Sequence, residues 1–172
     1  IFAVADTIKE SSREAITDLH RLGVTSVMLT GDNVATATSI ARQAGIDDAR
    51  GNLLPEDKLA AIEELQGRYG PTAMTGDGIN DAPALARADI GVAMGAAGTD
   101  TAMEAADVVI MNDDLRRIPE TIRLSRQTHA VLWQNIALAL GIKVVFLGLA
   151  VFGNATMWMA VFADMGASLL VV

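Results

Sequence analysis

Seven residues of this sequence, TGDGIND from Thr75 to Asp81, combine two carboxylates with two glycines directly after an apolar run. Gly76 and Gly78 allow a tight turn and a close approach of the backbone to a ligand. Asp77 and Asp81 are four residues apart, close enough to converge on Mg²⁺, which prefers one or two carboxylates plus phosphate oxygens. Asn80 adds a neutral hydrogen-bonding group. A calcium loop would need more oxygen ligands, so the alternative is a turn with a capping aspartate.

A second polar element, TGDN, follows an earlier apolar run and opens a helical pattern. The Thr30 hydroxyl and the backbone N–H groups near Gly31 and Asp32 could hold phosphate oxygens at a helix N-terminus. The alternative is that Asp32 is a plain helix N-cap.

A third element, PEDK, places Lys58 in the first turn of a predicted helix. A cation there opposes the helix dipole and needs a local reason such as an anion. A solvated surface lysine is the alternative.

These elements lie in a region that alternates short apolar runs with amphipathic helices. Ser11 and Glu14 fit a capping box, and strands alternating with helices predict an α/β fold with a parallel sheet. Ligands of such sheets lie beyond the carboxyl ends of the strands. The predicted strands are 1–6, 26–31, 49–53, 71–78, 90–94 and 107–111, and the predicted helices are 11–22, 34–44 and 55–69.

The last third of the chain is apolar. A charged helix passes into an apolar run over 130–152, long enough to cross a hydrocarbon core of about 30 Å. A polar turn at 153–156 then leads into a second apolar segment, 155–172. Four arginines precede the first span, which predicts that this end is cytoplasmic. A buried helical hairpin in a soluble protein is the alternative.

From Thr128 onward the formal charges are Lys143 and Asp164. Each lies about ten residues from the turn, so at about 1.5 Å per residue both are about 15 Å from that surface. A charge at this depth needs a partner or a function. We expect either a structural salt bridge or a transport site, in which Asp164 is a ligand of the cation and Lys143 its counter-ion.

The composition excludes other classes of function. A net charge of −8 argues against nucleic-acid binding. The absence of cysteine excludes thiolate sites in this piece. His20 and His129 lack a second ligand at helical spacing, so we interpret both as surface or interfacial residues. The methionines at 157, 159 and 165 are interpreted as packing residues.

TGDN, PEDK and TGDGINDAPALARADIGVAMG, in this order, resemble the phosphorylation domain of P-type ATPases in the haloacid-dehalogenase-like superfamily. The resemblance implies a Rossmann-like parallel sheet, Mg²⁺ as cofactor and ATP as substrate. It implies that Asp77 binds Mg²⁺ and Asp81 supports it, that Thr30, Gly31, Asp32 and Lys58 contact the transferring phosphoryl group, and that Asn80 helps to hold it. The family's phosphorylated aspartate, in a DKTGT motif, is not in this sequence.

GIKVVF and ADMGAS in the two apolar segments resemble the zinc-, cadmium- and lead-exporting subgroup of heavy-metal P-type ATPases. Copper exporters are expected to have Tyr-Asn and Met-Ser-Ser patterns instead. We therefore expect residues 1–118 to be the C-terminal part of a phosphorylation domain, and 119–172 a linker helix and two transmembrane helices, the second truncated. The expected partners are membrane lipid, the transported cation and the remaining domains of the parent pump. We expect that pump to be monomeric and integral to a bacterial inner membrane, with its phosphorylation domain in the cytoplasm.

Two other functions remain open at this point. One is a soluble phosphatase of the same superfamily, against which the apolar segments count. The other is a non-catalytic truncated membrane protein. We treat the chain as a fragment and expect no ATPase activity from it alone.

Overall fold

The computed structural model describes residues 8–76, 79–95, 100–153, 158, 165 and 166. The chain divides into two compact units, Ile1–Glu120 and Thr121–Val172.

The first unit alternates strands with helices. Its strands are Val27–Leu29 (β1), Asp48–Arg50 (β2), Ala73–Gly76 (β3), Ile90–Met94 (β4) and Val108–Ile110 (β5). Its helices are Glu10–Arg21 (α1), Val34–Ala44 (α2), Pro55–Tyr69 (α3), Ala82–Arg87 (α4) and Asp100–Ala105 (α5), and a 3₁₀ turn, Ile79–Asp81, separates β3 from α4. A further helix, Arg117–Val151 (α6), begins in this unit and continues into the second.

All described strand pairs are parallel, as the alternation of strands and helices predicts. β1 pairs with β2, with Val27 opposite Asp48. β4 lies between β3 and β5 in a second sheet, with Ala73 opposite Ile90. Parallel strands end at the same edge of their sheet, so the residues that follow β1 and β2 lie together.

The core of the first unit is built largely from alanine. Small side chains on α2, such as Ala37 and Ala41, are buried, and Ile62 on α3 and Leu85 on α4 are the large side chains most completely removed from solvent. Burying an aliphatic side chain of that size contributes about 1.5–3 kcal/mol. α3 and α4 also pack against each other, which positions the polar ends of α3 and of the 3₁₀ turn that precedes α4.

Local signals predicted several elements correctly. α2, α3 and β4 have the predicted bounds, and α2 ends at Gly45 with a φ of 79°. The predicted capping box of α1 is wrong, because the helix begins at Glu10 with Lys9 as an N-cap that makes no side-chain bond. The short helices α4 and α5 were not predicted, and the predicted strand 1–6 lies outside the described residues.

The second unit contains most of α6, which is one continuous helix of 35 residues. Among the described residues it is the one helix long and apolar enough to cross a membrane, with a mean hydropathy of 1.8 over its best 18-residue window. Its outward side chains are large and apolar, among them Leu140, Val144 and Leu147. The predicted second span lies almost entirely outside the described residues.

Candidate phosphoryl-transfer site

The TGDN loop continues the pairing of β1 with β2 beyond the last strand residue. Thr30 N–H donates to the Arg50 carbonyl at 3.0 Å, and the Thr30 carbonyl accepts from Leu53 N–H at 3.1 Å. Within the loop, the Thr30 hydroxyl oxygen accepts a bond from Asp32 N–H at 3.1 Å. Thr30 is therefore held from both sides while Gly31 and Asp32 stay exposed.

The N-cap of α2 is Asn33, whose Oδ1 accepts a bond from Thr36 N–H at 2.8 Å. The alternative in which Asp32 is the N-cap is therefore wrong. Asp32 therefore lies one residue before the N-cap, and it is exposed.

Gly51 and Asn52 form the other side of this loop, and the sequence reasoning did not identify them as site residues. A Cβ atom on Gly51 would lie 2.7 Å from the Asp32 carbonyl oxygen and 2.8 Å from Val34 N. Asn52 has a φ of 57° and donates its N–H to the Asp32 carbonyl at 2.6 Å. Gly and Asn are the residues that best accept close approach and left-handed backbone. The available signal was this Gly-Asn pair, which lies inside the predicted strand 49–53 and directly after the observed β2.

An ion pair holds β2 against α3. Both terminal nitrogens of Arg50 donate to the Glu64 carboxylate, at 2.7 and 2.8 Å. These hydrogen bonds to Arg50 lower the pKa of Glu64 below its ordinary value. The pair fixes the strand whose carbonyl receives the N–H of Thr30.

Lys58 lies in the first turn of α3 and faces inward. Its Nζ is 2.6 Å from Asp81 Oδ1, and each side chain is 15% exposed. The surface-lysine alternative is therefore wrong, and the anion that a cation at this helix terminus requires is the Asp81 carboxylate. The turn is closed independently, since Leu54 N–H donates to Asp57 Oδ2 at 2.9 Å.

Asp81 ends the 3₁₀ turn that follows β3, and it packs against the end of that strand. A Cβ atom on Gly76 would lie 2.7 Å from the Asp81 Cβ and 2.8 Å from its Oδ2. Glycine at 76 is therefore required for Asp81 to reach Lys58. Asn80 is exposed beside it, and Asp77 lies outside the described residues.

Two contacts join the three polar elements into one site. Leu53, just before α3, hydrogen-bonds to Thr30, and Lys58 in the first turn of α3 bonds to Asp81. The arrangement places a hydroxyl, the N-terminus of a helix, an ammonium and a carboxylate at the ends of parallel strands. Such a set can hold phosphate oxygens and neutralise their charge.

The oxygen donors of the site suit a hard cation such as Mg²⁺. Asp81 contributes one carboxylate, of which Oδ1 is engaged by Lys58. In the part of the chain that the structure describes, no cluster of three or more His, Cys, Asp or Glu forms a metal site. Of the two predicted carboxylates, the described part of the site therefore contains one.

Other predicted residues lie away from this site. His20 Nε2 is 2.8 Å from Asp47 Oδ2 on the surface, and the His129 ring accepts a bond from Trp133 Nε1 at 3.1 Å. Lys143 is exposed on α6, eight residues before the helix ends at Val151, or about 12 Å along its axis. Asp164 lies outside the described residues.

Comparisons with known proteins identify the family to which the chain belongs. The haloacid dehalogenase-like hydrolase family matches residues 1–89. The chain is 51% identical over 172 residues to a probable cadmium-transporting ATPase of Alkalihalophilus pseudofirmus, covering 99% of this chain and 24% of that protein. It is 50% identical to a cadmium, zinc and cobalt-transporting ATPase of Bacillus subtilis, covering 98% of this chain and 25% of that protein.

A solved structure gives the same result. The crystal structure of a zinc-transporting PIB-type ATPase in the E2.Pi state superposes with a TM-score of 0.89 at 46% identity, covering 96% of this chain and 27% of that one. The chain thus spans about a quarter of the length of these relatives. It belongs to the haloacid dehalogenase-like hydrolase family and is similar, over nearly all its residues, to one segment of the cadmium- and zinc-transporting P-type ATPases.

Proposed function

We propose that this chain is part of an ATP-driven pump that exports divalent heavy-metal cations, Zn²⁺, Cd²⁺ or Pb²⁺, through a phospho-aspartate intermediate. The observation that carries the proposal is the Lys58–Asp81 pair, which joins PEDK to TGDGIND inside a family of hydrolases. In this reaction a carboxylate oxygen attacks the γ-phosphorus of ATP, the bond to the bridging oxygen breaks, and ADP leaves. Water later cleaves the acyl phosphate.

We propose a role for each described residue of the site from its position. Lys58 provides a positive charge beside the equatorial phosphoryl oxygens, and Asp81 fixes its direction. Thr30 and the N–H group of Gly31 hold oxygens at the N-terminus of α2, and the Asp32 N–H group, which donates to the Thr30 hydroxyl oxygen, orients that hydroxyl. Asn80 donates from the exposed side. Phosphoryl transfer depends mainly on such positioning and charge neutralisation.

Mg²⁺ fits the oxygen donors of this site, and we propose Asp77 as its direct ligand with Asp81 in support. The ion supplies charge neutralisation at the phosphate oxygens. We expect the nucleophilic aspartate near the start of the same phosphorylation domain in the parent protein and most of the ATP site in its nucleotide-binding domain, both outside these 172 residues. We therefore expect the 172 residues alone to hydrolyse no ATP.

The membrane part of the proposal rests on α6. Its apolar section from residue 130 to 151 measures about 33 Å at 1.5 Å per residue, which matches a hydrocarbon core. Lys143 lies near the middle of that section, where an ammonium needs a function or a partner. We propose that Asp164 binds the transported cation with Lys143 as counter-ion, in a monomeric pump of a bacterial inner membrane with the first unit in the cytoplasm.

The test uses the full-length parent protein and its Asp164→Ala variant in liposomes. The matched control is Asp113→Ala, which removes one exposed acidic side chain outside the span. We expect Zn²⁺, Cd²⁺ and Pb²⁺ to stimulate ATP hydrolysis in the parent protein and in Asp113→Ala. Asp164→Ala should lose the stimulation. Equal stimulation in all three proteins would remove Asp164 from the transport site, and no stimulation in the parent would refute the pump.

A further inference from the structure

Arg116 binds two acidic side chains that are far apart in the sequence. Its Nε and Nη2 donate to the Asp114 carboxylate at 3.0 and 2.9 Å. Its Nη1 donates to Glu14 Oε2 on α1 at 3.1 Å, across a separation of 102 residues. We name Glu14, Asp114 and Arg116 the α1–α6 latch.

The latch lies at the start of α6. Asp114 Oδ1 also accepts Arg116 N–H at 3.1 Å, and the Asp114 carbonyl accepts Arg117 N–H at 3.1 Å, so Asp114 closes the turn from which the helix begins. The hydrogen bonds from Arg116 lower the pKa of Asp114 to about 2, which keeps this carboxylate charged. Pro119, in the first helical turn, is fully buried.

The other end of α1 is tied to the strand that carries the TGDN loop. His20, in the last turn of α1, bonds to Asp47 at 2.8 Å. The same Asp47 oxygen accepts Ser26 N–H at 2.7 Å, immediately before β1. α1 also packs against α2, the helix that the TGDN loop opens.

α1 therefore contacts both the elements that hold the phosphate-binding loop and Arg116, the residue directly before the membrane-compatible helix. We infer that Glu14 is a positioning residue, which through Arg116 transmits movement of the TGDN loop to the start of α6. The inference rests on the proposed function, because it concerns how hydrolysis is coupled to transport. Glu14 has no part in the phosphoryl-transfer site itself.

The test is Glu14→Gln in the full-length protein, because this change removes the negative charge that Arg116 binds on α1 and leaves Asp114 with Arg116. The matched control is Glu10→Gln, on the same helix, whose carboxylate reaches Arg13 at 3.8 Å. Two quantities are measured, the cations transported per ATP hydrolysed and the hydrogen exchange of the amides in the first turn of α6. We expect Glu14→Gln to lower the number of cations transported per ATP. Because exposed ion pairs contribute little free energy, we expect the amide exchange to speed up by about two- to five-fold.

Glu10→Gln should leave both quantities as in the parent protein, and Arg116→Gln should change them at least as much as Glu14→Gln does. Unchanged exchange in Glu14→Gln would refute the latch itself. Faster exchange with an unchanged transport ratio would refute its role in coupling. Absence of metal-stimulated ATP hydrolysis in the unsubstituted protein is a separate result, which would overturn the proposed function. The exchange data would still test whether the latch exists.

Discussion

Replacing Lys58 by methionine should destabilise the first unit far more than the loss of an ordinary surface charge. The substitution keeps the length of the side chain but leaves the Asp81 carboxylate, 15% exposed, without the ammonium 2.6 Å away. Removing one partner of a fully buried pair costs about 3–5 kcal/mol, and we expect about 2–3 kcal/mol at this exposure. Adding Asp81→Asn, which removes the stranded charge, should restore at least about half of that loss.

The matched control is Arg87→Met. Arg87 and Glu63 also join α4 to α3, at 2.9 Å, but their side chains are 49% and 58% exposed. The expected cost there is about 0.2–1 kcal/mol.

The assay has to report on the first unit alone. Trp133 and Trp158 both belong to the second unit, so tryptophan fluorescence does not serve. Hydrogen exchange of α3 and β3 peptides, measured against denaturant concentration, gives the local free energy of unfolding. Equal losses in Lys58→Met and Arg87→Met, or no recovery in the double variant, would refute the reasoning that this pair is a desolvated part of the site.

Three further predictions concern the loops around the site and the latch. Asn33→Ala should cost about 1 kcal/mol, seen as faster exchange in the first turn of α2, because it removes the N-cap bond. Gly76→Ala should cost about 1–3 kcal/mol through the clash with the neighbouring carboxylate, whereas Gly67→Ala, inside α3 with open space around it, should be neutral or stabilising in the same denaturation experiment. Asp114 should titrate near pH 2 by carboxyl NMR. Because folding lowers its pKa, the ionised carboxylate contributes fully to the free energy of unfolding above about pH 4, and this contribution is lost as the pH falls through 2. Arg116→Gln should move the titration midpoint back toward 3.8.

Much of the fold follows from local patterns in the sequence. α2 and α3 have their predicted bounds because residues at their ends signal them. Asn33 caps the start of α2 and Gly45 its end, and Pro55 is the first residue of α3. The start of α1 was misplaced because Ser11 and Glu14 match a capping pattern, while the structure directs Glu14 to Arg116. No local sequence pattern predicts a hydrogen bond between residues 102 positions apart.

The site was predicted in its parts but not in its arrangement. The sequence identified Lys58 and Asp81 separately, and the prediction that Lys58 needs a nearby anion is confirmed by their contact. Two features depend on how β2 and α3 pack against other elements. One is that Asp81 is the anion beside Lys58, and the other is that Gly51 and Asn52 hold the TGDN loop. Such tertiary placement is not encoded in residue spacing.

The proposed function requires this site to transfer a phosphoryl group in a metal-dependent pump. The most direct measurement is the labelling of the full-length parent protein with ATP carrying a radioactive γ-phosphate, with and without Zn²⁺ or Cd²⁺. We predict a metal-dependent label that hydroxylamine removes, as expected for an acyl phosphate, and a loss of about 100-fold in its rate of formation in Lys58→Met. A label that forms equally fast in Lys58→Met and in the parent protein, or that resists hydroxylamine, would contradict the account.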